Sequence, residues 1–177
     1  MKYELLPTKV SIVFYRAPKQ MAINHRIISF LISALSHADL HHSGIMLQRD
    51  DNSIILAANK YHRAKFIDQE GYHRRVVKPA IVVELGELTL SIKQLIAFIK
   101  EPYRGDVRSL LFYTLIGQFL FPGITPKSCS ILSCQLLRIA GYHIKDCFTP
   151  IQLYNEVKTK GTVKSWQEFA EDNNLRS

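Results

Sequence analysis

A chain of 177 residues with 47% apolar and 21% charged positions has room for one well-buried core, and this composition excludes a disordered or low-complexity protein. Its 23 basic against 15 acidic residues leave a formal net charge of +8, which favours an anionic partner: nucleic acid, anionic lipid or an acidic polymer. Three cysteines, Cys129, Cys134 and Cys147, with no CxxC pair, do not make a disulfide framework and point to a reducing compartment.

In chain order, Val10 to Tyr15 is rich in β-branched and aromatic residues after Pro7-Thr8 and predicts a strand. Ala22 to Leu35 places Ile23, Ile27, Phe30, Leu31 and Ala34 at the spacing of one helix face. His42 to Leu47 and Ser53 to Asn59 flank the polar stretch Arg49-Asp50-Asp51-Asn52, the pattern of a hairpin. With the turn centred near Asp50, His42 should face Ala58 or Asn59.

The basic segment from Tyr61 to Lys78 reads as loop with a short helix, and Ala80 to Leu85 as a further strand. Thr89 to Lys100 is amphipathic and ends before Pro102; Asp106 to Phe121 is a mostly apolar helix, broken by Pro122-Gly123. Its apolar run is interrupted by Gly117 and Gln118, and no run reaches membrane-spanning length, so no transmembrane segment is expected.

Behind Thr125-Pro126, the stretch Lys127-Ser128-Cys129-Ser130 opens a helix running to Gly141, which suits the position just past a helix end. Cys129, Leu132, Leu136, Leu137 and Ala140 form one stripe, which turns Cys129 toward the sheet and puts Cys134 around the helix from it. Thr149-Pro150-Ile151-Gln152 is a capping box opening a helix through Val157 that Gly161 can stop, and Trp166 to Asp172 is a short terminal helix. Overall this is an α+β pattern: one domain over 1–177, its core at about 10–157 and a C-terminal decoration at 158–177.

A cysteine in a first helical turn meets unpaired backbone N–H groups and the positive end of the helix dipole, both of which favour the thiolate. To act as a nucleophile it also needs a base, and His42, at the start of the strand His42-Ser43-Gly44-Ile45, is the candidate. Ser128 and Ser130 read first as helix-capping residues. His37, Asp39, His41 and His42 are the densest group of metal-ligand types, and a zinc-dependent hydrolase is one alternative. Adjacent strand residues face opposite ways, however, so His41 and His42 do not aim at one ion, and the expectation is no metal and no cofactor.

His42-Ser43-Gly44-Ile45, followed by Cys129-Ser130-Ile131-Leu132 and Leu137-Arg138-Ile139-Ala140-Gly141, resembles the circularly permuted branch of the NlpC-type papain-like cysteine peptidases. That branch has bacterial, bacteriophage and poxvirus members and, more distantly, lecithin retinol acyltransferase-like enzymes. The strand Ile12 to Tyr15, Pro102-Tyr103 with Asp106, and Thr149-Pro150 with Leu153-Tyr154 fit the same order, so the resemblance spans roughly 10–157.

The resemblance implies a permuted papain-like fold, a small antiparallel sheet packed against a helix carrying the nucleophile. It implies Cys129 as nucleophile, His42 as base and, by the hairpin register, Asn59 as the residue orienting the imidazole. The backbone N–H of Cys129 would stabilise an oxyanion, with Tyr103 and Ser130 as the side-chain candidates for oxyanion or substrate contact. The expected activity is a thiol amidase or peptidase acting on a peptide or acyl-amide. The alternative of the same fold is a chemically inactive binding domain using its basic face. The start Met1 to Pro7 lacks signal-peptide features, so a cytoplasmic location is expected, in the host cytoplasm for a viral chain; no residue pattern specifies an oligomeric state.

Overall fold

The computed structural model describes residues 5–16, 39–49, 52–57, 65–68, 79–91 and 128–175. They form an α+β arrangement in which six antiparallel strands make one sheet. The strands are β1 (Leu5–Arg16), β2 (Leu40–Arg49), β3 (Asn52–Ala57), β4 (Lys65–Asp68), β5 (Pro79–Ser91) and β6 (Thr162–Ser165). The helices are α1 (Cys129–Ile139), α2 (Pro150–Val157) and α3 (Trp166–Asp172). The sheet order is β4-β3-β2-β1-β5-β6. Among the described residues, no helix is long and apolar enough to cross a membrane.

Strand alternation gives the sheet two apolar faces. On one, Val10, Ile12 and Phe14 of β1 join Ile45 and Leu47 of β2 and Val83 and Leu85 of β5. Leu132, Leu136 and Leu137 of α1 and Leu153 and Val157 of α2 cover them. On the other, Val13, Tyr15, Met46 and Val82 pack under Phe169 of α3, with Trp166 and Leu175 alongside. A strand buried on both sides reads as a continuous apolar run, which is why Val10 to Tyr15 stands out in the sequence.

Several elements differ from the sequence expectation. β1 starts at Leu5 and includes Pro7. Proline is tolerated there because β2 pairs with β1 only from Lys9 onward, so among the described residues Pro7 faces a partner on the β5 side alone. Thr89 to Ser91, expected to open a helix, instead extend β5, paired with Pro7, Leu6 and Leu5. Lys65–Asp68, expected as loop or helix, pairs with β3 as the edge strand β4. The rest of the 89–100 helix and those expected at 22–35 and 106–121 lie outside the described residues.

Residues 162–172, read from the sequence as part of a decoration, add β6 beside β5 and bring fully buried Phe169 to the second core. The turn into β6 requires Gly161, because a Cβ there would run into the backbone carbonyl of Glu84.

Candidate active site

The local chemistry of α1 fixes where Cys129 sits. Ser128 is the N-cap: extended at φ −123° and ψ 163°, it accepts from the Ile131 N–H at 3.2 Å. Its hydroxyl also donates to the Phe148 carbonyl at 3.1 Å, tying the helix start to the segment before α2. Cys129 is therefore the first helical residue, and its own N–H has no partner within the helix ladder. At the other end Gly141, at φ 91°, closes a Schellman motif: Gly141 N–H donates to the Arg138 carbonyl at 3.0 Å and Tyr142 N–H to that of Leu137 at 2.9 Å. The Tyr142 hydroxyl then donates to the Leu85 carbonyl at 2.5 Å, anchoring this end to β5.

On the sheet, β1 and β2 pair in register from Lys9↔Gln48 to Tyr15↔His42, and then Arg16 pairs with Leu40, which leaves His41 as an extra residue in β2. Such a bulge bends its strand and re-aims the neighbouring side chains. Half-buried His42 lies across from fully buried Tyr15, and their rings stack obliquely with centroids 5.5 Å apart and planes at 37°. By alternation His42 belongs to the Tyr15 face and Ser43 to the opposite face, beneath α1.

Among the described residues, β3 pairs with β2 only from Ile45 to Arg49, and Ser43 and His42 extend past that pairing. The Cys129 sulfur meets β2 at this end. The His42 ring hydrogen-bonds it, and the backbone N–H and hydroxyl of Ser43 lie close enough to favour its anion. Two consecutive strand residues thus act on one sulfur, His42 through its ring and Ser43 through its backbone N–H and hydroxyl.

The electrostatics follow from this contact. Burial, the largest influence, pushes the Cys129 thiol up; the charge of His42, its hydrogen bond and the two Ser43 groups push it down further, and the thiol settles at about 7 against an ordinary 9.0. Its place at a helix start acts in the same downward sense.

The expected companions are distributed differently. Ser130 is not a cap: it is fully buried inside α1, with its hydroxyl 4.0 Å from the Cys129 sulfur, and so lies beneath the thiol rather than on an open surface. Asn59 and Tyr103 lie outside the described residues, as does His37. Among the described residues, no group of three or more His, Cys, Asp or Glu side chains is placed to hold a metal ion.

Cys134, expected around the helix from Cys129, is fully buried. Ile144 and Cys147, from the segment leading into α2, join Cys134 in the first core. Hydrogen bonding to Cys134 and burial push the Cys147 thiol well above its ordinary range. Ser43 was missed as a site residue; its one sequence signal is its place between His42 and Gly44 on a strand start.

The basic face is largely paired in this part of the chain. Lys164 contacts Glu84 at 2.6 Å and Asp172 at 2.8 Å, Lys160 contacts Glu156 at 3.5 Å, and Arg138 contacts Asp146 at 2.7 Å. Lys158 donates to Asn155 at 2.7 Å and lies 5.5 Å from the centre of the Tyr154 ring. Compared with known proteins, the chain matches no family model and no curated protein.

Proposed function

We propose that the protein is a cysteine-dependent hydrolase of the amidase or peptidase type, with the permuted papain-like arrangement that its motif order resembles. The observation that carries this reading is the Cys129 thiol at a helix start, hydrogen-bonded to His42 and lowered to about 7. A thiol with that pKa is about half ionised near neutral pH, the range in which a nucleophile combines abundance with reactivity.

In the proposed reaction the Cys129 sulfur attacks the substrate carbonyl carbon, and the carbonyl oxygen takes up the charge beside the Cys129 N–H. His42, carrying the thiol proton, gives it to the leaving nitrogen as the C–N bond breaks, leaving a thioester. A water then loses its proton to His42 and adds to the thioester carbon. Collapse releases the acid, and the proton returns to the thiol.

Asn59 remains the proposed orienting residue. The observed hairpin register pairs Ile45 with Leu56, and three further steps without a shift would set position 59 against His42. Tyr103 is proposed only by resemblance as an oxyanion donor. A binding-only domain acting through a basic face is the second reading; Arg138, Lys160 and Lys164 contact carboxylates, and the basic run at 73–78 lies outside the described residues.

The test is acylation by p-nitrophenyl acetate, followed by peptide mass spectrometry. An acetyl group on Cys129, released by hydroxylamine, absent in Cys129→Ala and formed about 5- to 8-fold more slowly near neutral pH in His42→Ala, is the expected result. Equal acetylation of Cys134 and Cys147 in the folded protein, or none at Cys129, would sink the proposal.

A further inference from the structure

Ser43 is 1% exposed, and its hydroxyl has no hydrogen-bond partner among the described residues. A buried hydroxyl without a partner costs stability, and a strand residue normally relieves that cost through a neighbouring carbonyl or a water. Ser43 pairs with fully buried Phe14 on β1 and shares its face with Ile45, the face that α1 covers. On that face its backbone N–H and hydroxyl act on Cys129, the first residue of α1. A hydroxyl hydrogen rotates freely, and a neutral thiol is a weak acceptor whereas a thiolate is a strong one. The missing partner therefore appears when the sulfur loses its proton.

We propose that Ser43 is a second donor to the sulfur anion, its hydroxyl left unpaired in the resting protein so that it can turn to the Cys129 thiolate. This rests on the thiol-nucleophile reading above. The response of the thiol to both the N–H and the side chain of Ser43 agrees with it. His42 then supplies the charge and takes the proton, while Ser43 donates to the sulfur anion from the sheet face that α1 covers.

The test is the pH dependence of Cys129 alkylation by iodoacetamide, read at that residue by mass spectrometry, with urea unfolding measured in parallel. Ser43→Thr and Ser43→Val have nearly the same shape and differ in the hydroxyl, so packing effects are shared. Ser43→Thr should keep the wild-type midpoint, and Ser43→Val should raise it by about 0.5 to 1 unit, or about 3- to 10-fold less thiolate below the midpoint. Ser43→Val should also resist urea at least as well as Ser43→Thr, since it leaves no unpaired hydroxyl.

Equal midpoints in the two variants would overturn the assignment of Ser43. If His42→Ala shifts the midpoint while Thr and Val agree, only this inference fails; if His42→Ala does not shift it, the underlying reading fails as well. Should either bulky variant not fold, Ser43→Ala against wild type gives the same decision, with a raised midpoint expected and an unchanged one refuting.

Discussion

Replacing His42 with alanine removes the two strongest downward influences on the Cys129 thiol, a charge and a hydrogen bond, and leaves the burial that opposes ionisation. The thiol should then return from about 7 to about its ordinary 9.0. A rise of about two units cuts the ionised fraction near neutral pH from about half to about one per cent. The more basic thiolate is intrinsically more reactive; with a Brønsted slope of about 0.4–0.5, it gains about 6- to 10-fold per thiolate. The two effects leave a net loss of about 5- to 8-fold near neutral pH and a gain of about 6- to 10-fold at strongly alkaline pH. Iodoacetamide alkylation of Cys129 across the pH range should therefore give wild-type and His42→Ala curves that cross. A parallel drop at every pH would mean that His42 controls access rather than ionisation, and an unshifted midpoint would refute the pairing altogether.

Lowering the Cys129 pKa also links stability to pH. The folded-state value lies below the unfolded one, so the thiolate's contribution is fully present above about pH 9 and lost as pH falls through about 7. Denaturant unfolding should show wild type gaining up to about 3 kcal/mol on Cys129→Ala between those limits; a constant difference would contradict the lowered value. Ser128→Ala removes the cap of α1 and its link to the Phe148 carbonyl, and should cost about 1–2 kcal/mol in urea. Gly141→Ala meets no atom within 4 Å but must hold φ 91°, so its cost should be about 1–2 kcal/mol of backbone strain. Gly161→Ala should lose more in the same measurement, because its Cβ is driven into the Glu84 carbonyl; equal losses would mean that the β5–β6 contact yields easily.

The elements legible in the sequence are those whose cause lies within a few residues. Ser128 before Cys129, Thr149-Pro150 with Gln152, and Gly141 after Ala140 each satisfy helix-end groups locally, and all three are present as caps. The hairpin through residues 50–51 is equally local: its strands are joined by a two-residue connection, and its first pair is Arg49↔Asn52. Trp166 to Asp172 was legible for the same reason, since Ser165 and Glu168 form a capping box.

Long-range pairing decided the rest. The strand character of Lys65–Asp68, Thr89 to Ser91 and Thr162–Ser165 comes from neighbours far along the chain, and no local pattern announces it. Cys134 could not be distinguished as buried from its helical phase, because Ile144 and Cys147, which join it in the first core, follow α1. For Cys129 and His42, residue types and motif order sufficed to nominate nucleophile and base. Only the tertiary structure decided that Ser43 joins them: side chains alternate along a strand, so it takes a sulfur at the end of the β2–β3 pairing for two consecutive residues to reach one atom.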